Sequence, residues 1–430
     1  MTIPMACDAP APVSRGRCAL AWVITGAAAV AVRSVRFHRI ERFARWLMRL
    51  TRRSAGAVEI EIMLATIDRA GRWLPVRVAC LERSLAVAPG DTMTASYPLV
   101  AQAADLIDYD SYVLEPDGSM LPQSSARSGI LRMLRLLEVE PGMRVLEVGA
   151  GSGYTSALLG QIVGERGTVT SLDVAHHLVA RAARKHAERG ARNVAVYPAD
   201  GFGGWETGAP YDRIIGWTTP HVLPHSWVRQ VRDQAVIVTP VKVAPIANAN
   251  MILRVDIQHR RPIARDVHLG GYIEMHAEVI TDFPVPVRYL DGLLRLPQGV
   301  VWVSAPELRA QPDLTDRAVR LIATGRAVAS PLAGKHPRAV GACHAYLLAS
   351  RPEGLASAGI GDHWGLGVVH SDSAAVLRHT DLHVAGTAGA EDQLCALLSE
   401  WEDAGRPDHT SLEPHLTAGP DGFGVNLKRR

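Results

Sequence analysis

The sequence contains few cysteines, few lysines and no strong excess of either charge. Its five cysteines are scattered over 430 residues without a C-x-x-C pair, which argues against a disulfide framework or a zinc site and favours a reducing cytoplasm. Lysine occurs only at positions 185, 242, 335 and 428, so arginine supplies nearly all of the positive charge. The formal net charge of +3 gives no electrostatic signature of nucleic-acid binding, and no nucleic-acid partner is expected.

Long hydrophobic runs are also scarce. One apolar stretch runs from Cys18 to Val32, and it is shorter than the roughly 20 residues that a membrane-spanning helix needs. The basic residues before it, Arg15 and Arg17, would also fit a signal peptide. Because nothing downstream is typical of a secreted protein, we interpret the stretch as a buried or peripheral helix of a cytoplasmic protein. We expect no membrane contact.

The first two of four regions precede the main motifs. Residues 1–88 alternate apolar and Arg-rich stretches with little glycine from about residue 18 onwards, and the spacing of Ile60, Leu64 and Ile67 predicts a small helical region. Residues 89–122 are rich in Pro, Gly, Asp and Ser. They predict a linker and an entry loop around a short helix near Leu99–Ile107.

The other two regions predict an α/β domain and an extension. Residues 123–275 alternate short β-branched runs with helical runs, from MRVLEVG to QAVIVTPV. This rhythm predicts a Rossmann-like, doubly wound parallel sheet with crossover helices. Residues 276–430 predict an appended α+β region that includes a helix over Glu391–Glu402. The length of the chain fits two or more domains.

A glycine-rich segment follows the first strand of the predicted sheet. From Val145 to Tyr154 the sequence is VLEVGAGSGY, an apolar strand that enters a turn and then opens a helix. Glycine in such a turn lets the backbone approach a ligand without interference from a Cβ atom. The dinucleotide pattern G-x-G-x-x-G is not met, because Tyr154 stands where its third glycine would be. The pattern is E-x-G-x-G-x-G, as in S-adenosylmethionine (SAM) methyltransferases.

Acidic residues end the next two predicted strands. Asp173 ends TVTSLD, where a carboxylate can accept hydrogen bonds from both ribose hydroxyls. Asp200 ends VAVYPAD, near the expected position of adenine. Each aspartate considered alone could equally be a helix N-cap. The predicted SAM-binding residues are Glu147, Gly149, Ala150, Gly151, Ser152, Gly153, Tyr154, Asp173, Val174, Asp200 and Gly201.

Three segments carry a family resemblance: PQSSARSGILRMLRLL, PGMRVLEVGAGSGYTSALL and ADGFGGWETGAPYDRIIGW. On these segments, Leu121–Val241 resembles the protein-L-isoaspartate O-methyltransferase family. The family's loop is approximately S-Q-P-x-I-V-A-x-M-L, and its serine contacts the substrate carboxylate. Here Ser125 keeps the serine, whereas Ala126 and Arg127 replace the Gln-Pro pair. The resemblance implies SAM as cofactor, no metal, and Ser125 as the carboxylate-binding residue with Ser124 and Arg127 as helpers.

The residues after this core resemble a more specialised subgroup. Gly270–Met275 (GGYIEM) and the late LLSEWEDAGRP are similar to the extended enzymes encoded with ribosomally made, modified peptides. In that subgroup an Asp side chain of a constrained peptide of the lasso type is esterified, and the ester collapses to an aspartimide or an isoaspartate. The resemblance therefore implies a peptide substrate with a reactive Asp. The alternative is a repair enzyme that methylates isoaspartyl residues in damaged proteins.

The N-terminal region carries an independent resemblance. Trp73–Ala86 (WLPVRVACLERSLA) is similar to the start of the B-type leader peptidase of lasso peptide biosynthesis, with Cys80 at the nucleophile position. A cysteine protease also needs a histidine, and the family's His-Ala-Trp strand does not follow here. We therefore favour a vestigial or docking module over a peptidase. Residues 1–88 would then contact a leader peptide or a partner peptidase.

Several histidines and tryptophans are weaker candidates. His176, His177 and His186 fall on one predicted helix, and we expect them on its solvated face rather than at a metal. Four further residues could either line the active site or only pack in the protein: His221, His225, Trp205 and Trp217. The expected reaction is an in-line methyl transfer to a carboxylate. Because an Asp carboxylate has an ordinary pKa of about 3.9, it is already ionised and needs no strong general base.

Overall fold

The computed structural model describes residues 64–67, 73–76, 98–280, 285–297, 299–332 and 338–430. The chain separates into two compact units, Met1–Ser84 and Leu85–Arg430. The apolar stretch from Cys18 to Val32, Cys80 and most of the region predicted as helical lie outside the described residues.

The described part of the first unit is a β-hairpin. Strand β1 (Leu64–Ile67) pairs with β2 (Trp73–Val76) in antiparallel register, with Leu64 opposite Val76. The helical prediction is therefore wrong over these two segments. Strands β1 and β2 are only four residues long each. In apolar runs this short, periodicity does not distinguish a strand from a helix, so the spacing of Leu64 and Ile67 was not decisive.

The described part of the second unit contains three sheets and the helices that cover them. Its strands are β3 (Arg144–Val148), β4 (Thr168–Asp173), β5 (Val194–Pro198), β6 (Tyr211–Gly216), β7 (Leu223–Pro224), β8 (Val231–Lys242), β9 (Asn250–Gln258), β10 (Arg261–His268), β11 (Gly292–Leu296), β12 (Gly299–Ser304), β13 (Arg326–Ala329), β14 (Leu355–Ile360), β15 (His363–Val369), β16 (Ser373–Arg378), β17 (Asp381–Gly386), β18 (Leu412–Ala418) and β19 (Gly422–Arg429). Its α-helices are α1 (Pro98–Leu106), α2 (Tyr109–Val113), α3 (Arg127–Leu137), α4 (Tyr154–Val163), α5 (His176–Glu188), α6 (His225–Arg229), α7 (Pro312–Ala323), α8 (Ala339–Ser350) and α9 (Gly389–Asp403).

The first sheet has the order β10-β9-β8-β6-β3-β4-β5. Strands β5, β4, β3, β6 and β8 run parallel, and β9 and β10 are antiparallel additions at one edge. This arrangement confirms the predicted Rossmann-like, doubly wound α/β fold. Strand β3 is the middle one of the five parallel strands. The chain passes from it to β4 and β5 on one side and then crosses to β6 on the other side. Ligands bind beside such a switch point, at the carboxyl ends of the strands.

Helices α1 and α2 lie in the segment that the sequence predicts as a linker. Val100, Ala103 and Tyr112 from these helices are buried in one core with α3 and α4. The apolar face of α1 therefore makes it part of the α/β layer, despite the Pro- and Gly-rich residues around it. The predicted short helix is present as α1, but its segment does not act as a linker.

The second sheet is antiparallel throughout, in the order β11-β12-β14-β15-β16-β17-β13. Side chains of a strand alternate between its two faces, and β16 shows this clearly. Ala374 and Val376 pack on one side in a core with α7, whereas Ala375 and Leu377 pack on the other side in the core that holds α8 and α9. The second sheet is thus covered by helices on both faces.

The third sheet joins the end of the chain to the α/β layer. Its order is β18-β19-β7, and β7 pairs with β19 through Leu223 and Phe423. One hydrophobic core contains Trp227 of the α/β layer together with Leu412 and Leu427 of the terminal hairpin. The predicted boundary at residue 275 therefore divides a continuous core, because the extension packs on the α/β layer.

Candidate active site

A cavity of about 830 Å³ opens at the carboxyl ends of the parallel strands, beside β3. One part of its wall comes from the loops after β3, β4 and β6, and another part from the loop before α3. Residues 269–280 and the helix–strand pair α8 and β15 complete the opposite side. The cavity is thus shared by the α/β layer and by the region after it.

The glycine loop shapes one wall of this cavity. Gly149, Gly151 and Gly153 have φ angles of +92°, +49° and +81°, in the left-handed region that favours glycine. A Cβ atom on Gly151 would stand 2.8 Å from the carbonyl oxygen of Gln123. The loop and the segment that carries Ser124 therefore approach each other as closely as their backbones allow.

We expect Gly151→Ala to weaken SAM binding strongly and to lower the thermal stability. The new methyl group would meet Gln123 O, and the left-handed backbone costs a non-glycine residue about 1–2 kcal/mol. Gly142→Ala is a matched control, because Gly142 has φ +85° but open space where its Cβ would be. Calorimetry with SAM and thermal melts of both variants separate the two effects. Equal losses in the two variants would mean that the contact with Gln123 has no importance.

Asp173 and Asp200 both line the cavity. Asp173 Oδ2 accepts the Gly151 N–H, and its Oδ1 accepts the Ala175 N–H, each at 2.9 Å. A carboxylate has about four lone-pair positions, so Asp173 can hold the loop and still accept a ligand hydroxyl. Asp200 Oδ1 accepts the Phe202 N–H at 2.9 Å and caps a short 3₁₀ helix. The N-cap role that the sequence left open for Asp200 is present, together with a place at the cavity.

Not every residue of the predicted SAM set reaches the cavity. The set's members on the wall are Gly149, Ala150, Gly151, Ser152, Asp173, Val174, Asp200 and Gly201. Among the described wall residues, Glu147, Gly153 and Tyr154 do not occur. Glu147 and Tyr154 are fully buried beneath the loop, because β3 and the first turn of α4 point these side chains into the core. They shape the loop and cannot touch a ligand in the cavity.

Glu147 is a carboxyl group at the centre of a buried network. Ser171 Oγ donates to its Oε2, and Trp217 Nε1 donates to its Oε1 at 3.1 Å. Burial raises the pKa of Glu147 to about 8, against the opposing effect of these hydrogen bonds. The group is therefore largely protonated at neutral pH. Trp217 itself lines the cavity. The network therefore connects the cavity wall to Glu147 and Ser171, which are buried beneath the glycine loop.

The loop before α3 carries two serines of the cavity wall. Ser124 and Ser125 both lie on the wall, and Tyr109 Oη donates to Ser125 O at 2.9 Å, which fixes the loop. None of the described residues hydrogen-bonds to the buried Ser124 Oγ. Arg127 does not reach the described wall. Its Nη2 donates to Ala104 O in the last turn of α1, at 2.9 Å, which corrects the predicted helper role.

The structure shows the surroundings of the weaker histidine and tryptophan candidates. His186 is 2% exposed and its Nε2 lies 3.0 Å from Ser156 Oγ, so its predicted solvated position is wrong. His176 and His177 are exposed. Trp205 stacks on Tyr197, with ring centroids 4.7 Å apart. His221 contacts Asp421 and His225 contacts Gly419, so both histidines pack against the turn between β18 and β19.

The sequence missed three polar residues of the wall. Thr218 follows β6, Asn250 begins β9, and Glu274 lies in the segment bridged to Thr219. With Ser124 they form a set that we call the polar quartet (Ser124, Thr218, Asn250 and Glu274). Each of the four has a buried side-chain oxygen to which no described residue hydrogen-bonds. No local motif marks these residues, because the tertiary fold alone brings them together.

The region after the α/β layer supplies a further wall. Trp364, which is 42% exposed, and Leu366 come from β15, and His344 comes from α8. His344 Nε2 lies 2.9 Å from Leu377 O, so this nitrogen carries the proton. Burial lowers the pKa of His344 to about 4, and the ring is therefore neutral at pH 7. This wall offers an aromatic surface and no net charge.

The comparison with family models identifies the same part of the chain. Residues 105–269 match the family model of Protein-L-isoaspartate(D-aspartate) O-methyltransferase (PCMT). The match includes the glycine loop, Asp173, the serine loop and Asn250. It ends before Glu274, His344 and Trp364, so the match does not extend to the later wall.

Individual relatives agree with the family model. The chain is 28% identical over 203 residues to a protein-L-isoaspartate O-methyltransferase of Thermotoga maritima, which covers 45% of this chain and 62% of that protein. It is 41% identical over 112 residues to protein-L-isoaspartate O-methyltransferase 1 of Rhodopseudomonas palustris, covering 26% and 44%. A solved protein-L-isoaspartate O-methyltransferase superposes with a TM-score of 0.40 at 17% identity, covering 77% of this chain and 94% of that one. The chain thus spans less than two thirds of the length of the Thermotoga and Rhodopseudomonas relatives.

The residues of the wall fit SAM and do not form a metal site. The left-handed glycine loop leaves no Cβ between backbone and ligand, and Asp173 offers free lone pairs at the end of β4, where a ribose would lie. Within the described ranges, no group of three or more His, Cys, Asp or Glu side chains could hold a metal ion. Over the same ranges, no helix is both long and apolar enough to cross a bilayer.

Proposed function

We propose that this protein is a SAM-dependent carboxyl O-methyltransferase that acts on isoaspartyl or aspartyl residues of peptides. One observation carries the proposal: a single cavity is lined by the glycine loop and Asp173 and also by Ser124, Ser125 and Thr218. The match of residues 105–269 to the PCMT family supports the choice of a carboxylate as acceptor.

The residues of this chain bind and orient rather than exchange protons. The substrate carboxylate is ionised at neutral pH, so it can act as the nucleophile without a general base. When bound, SAM supplies a methyl group on a positively charged sulfur. Asp173 and the loop from Gly149 to Gly153 hold the cofactor, while hydroxyls of the serine loop donate to the carboxylate oxygen that does not attack. The rate of methyl transfer then depends on how well the attacking carboxylate oxygen is aligned with the methyl group and on the exclusion of water from the site.

We expect Ser124→Ala and Ser125→Ala to lower kcat/KM for an isoaspartyl peptide by about tenfold or more each, while SAM affinity stays unchanged. Loss of a hydrogen bond to a charged group has an effect of about 1.5–3 kcal/mol. Ser128→Ala serves as the matched control, because Ser128 is exposed on α3. Steady-state methyl transfer and calorimetry with SAM measure the two quantities. If both variants keep the rate of the Ser128→Ala control, neither hydroxyl binds the carboxylate.

A second candidate is the tailoring of one ribosomally made, constrained peptide at an Asp side chain. The wall formed by His344, Trp364 and Leu366 favours it, because it lies beyond the residues matched by the family model and enlarges the cavity on the side away from Asp173. The exchange of the family's Gln-Pro pair for Ala126 and Arg127 also suggests a changed substrate. In this candidate, residues 1–88 contact a leader peptide or a partner peptidase.

One experiment distinguishes the two candidates. The enzyme is incubated with SAM and either a panel of unrelated isoaspartyl peptides or the cyclised peptide encoded beside it, and the products are analysed by mass spectrometry after trapping with hydroxylamine. Methylation across the panel supports the isoaspartyl activity. Methylation at one Asp of the cyclised peptide alone, followed by loss of methanol, supports tailoring. Methylation of neither substrate would contradict the proposed function.

A further inference from the structure

A short segment after β10 forms part of the cavity wall. Residues 270–275, which we call the strap, all line the cavity, and they begin where the match to the PCMT family ends. Tyr272 packs against the core that contains α3 and α4, whereas Met275 belongs to the core that contains α8 and α9. The strap therefore connects the α/β layer with the region after it.

The strap is tied to the exit of β6. Thr219 N donates to Ile273 O, and Met275 N donates to Thr219 O, both at 2.8 Å. The side chain of Thr219 also takes part, because its Oγ1 donates to Tyr272 O at 2.8 Å. Tyr272 packs edge-on against Trp217, with ring centroids 5.5 Å apart. Since Trp217 lies on the cavity wall, the position of the strap determines the position of this part of the wall.

A buried ion pair also holds the strap. Lys242 is the last residue of β8. Its Nζ contacts Glu274 Oε1, and the two residues are only 4% and 6% exposed. Lys242 N donates to Pro220 O at 3.3 Å, directly after Thr219 in the sequence. Burial lowers the pKa of Lys242, and the negative charge of Glu274 opposes this shift. The buried ammonium group thus depends on its partner in the strap.

A buried ion pair responds differently to the loss of one partner and to the loss of both. Removal of one partner leaves a buried charge unpaired, which is strongly unfavourable, whereas replacement of both by apolar residues of similar volume is often tolerated. We therefore expect a single substitution to move the strap until water reaches the remaining charge. A displacement of about 1 Å in a site that aligns reactants can lower the rate about 100-fold.

We propose that Lys242 and Glu274 are positioning residues for methyl transfer: their ion pair fixes the strap, and the strap fixes Trp217 and the exit of β6 at the cavity. Lys242 does not occur among the described wall residues, so it acts through Glu274. This inference rests on the proposed carboxyl methyltransferase activity and adds residues that align it. It also gives a reason for a lysine in this arginine-rich chain, because a guanidinium would bring five N–H donors into the same buried space.

The test compares three variants of the full-length enzyme: Lys242→Met, Glu274→Met and the double variant. We expect each single variant to lower kcat for an isoaspartyl peptide by about 10- to 100-fold. The KM values for SAM and peptide should change by less than about threefold, because the strap aligns the reactants rather than binding them. The double variant should recover kcat to within about threefold of the unmodified enzyme, since no buried charge remains.

Hydrogen exchange locates the effect in the chain. The amides of Thr219 and Met275, which hydrogen-bond between the strap and the exit of β6, should exchange faster in the single variants only. Amides of β16 should keep their rates. Asp291→Asn is the matched control, because Asp291 forms an ion pair with Arg309 at 2.7 Å, its side chain is 5% exposed, and it lies away from the described wall. This control should keep kcat.

Four results would overturn the inference while the proposed function stands. They are an unchanged kcat in the single variants, a higher KM with unchanged kcat, a double variant no more active than the single ones, and faster exchange in β16 as well. If Glu274→Met does not fold, Glu274→Gln replaces it, because glutamine keeps the shape and one acceptor for Lys242. No methylation of any isoaspartyl or aspartyl peptide by the unmodified enzyme would overturn both proposals.

Discussion

Replacement of Asp173 by alanine is expected to abolish measurable SAM binding, with a loss in affinity of about 100-fold or more. The carboxylate makes two hydrogen bonds to backbone N–H groups, those of Gly151 and Ala175. It therefore holds the glycine loop and the start of α5 in place before any ligand arrives. Hydrogen bonds to charged groups contribute about 1.5–3 kcal/mol each, and alanine also removes the acceptor for the ribose hydroxyls.

Calorimetry with SAM measures this effect directly. Asp316→Ala is a suitable control, because Asp316 lies exposed on α7 in an ion pair with Arg320 and away from the described wall. Asp173→Asn separates the two roles, since one amide oxygen can replace only part of the acceptor capacity. An Asp173→Ala variant that keeps the affinity of the Asp316→Ala control would remove the cofactor assignment.

The α/β layer could be predicted from the sequence because its information is local. Each parallel strand is a short β-branched run, and each crossover helix repeats at helical spacing, as MRVLEVG and YTSALLGQIV show for β3 and α4. The glycine loop and Asp173 follow directly at strand ends. Their place on the cavity wall therefore follows once the order of elements is known.

The polar quartet could not be predicted in the same way. Thr218, Asn250 and Glu274 meet only after β8 and β9 have paired and the segment after β10 has returned to Thr219. Arg127 shows the opposite case. A cation beside the serine loop suggested a carboxylate partner, but the end of α1 accepts its hydrogen bond instead, since carbonyls in the last turn of a helix lack internal partners. The prediction that His186 is solvent-exposed is wrong because helical spacing alone does not show that Ser156 of α4 packs against it.

The pH dependence of stability offers a test of the network below the loop. Glu147 is fully buried, and burial raises its pKa in the folded protein to about 8, against about 4.3 for an ordinary Glu. Asp173 contributes in the same direction through its negative charge. Between these two pKa values the folded state holds a proton that the unfolded state has lost. Stability from this group is therefore complete at low pH and is lost as the pH rises through about 8.

We therefore expect Glu147→Gln to reduce the loss of stability between about pH 5 and pH 8. Titration of Glu147 changes the free energy of unfolding by at most about 1.4 kcal/mol per pH unit. A glutamine does not titrate and so adds no such pH dependence, and its side-chain oxygen can still accept a hydrogen bond from Trp217 Nε1 or Ser171 Oγ. Denaturant unfolding of both proteins across this range gives the difference. Glu307→Gln is the control, since Glu307 accepts the Gly354 N–H away from the described wall. Parallel curves for Glu147→Gln and the unmodified protein would mean that Glu147 is ionised in the folded state, and that Ser171 and Trp217 stabilise a buried charge rather than a neutral acid.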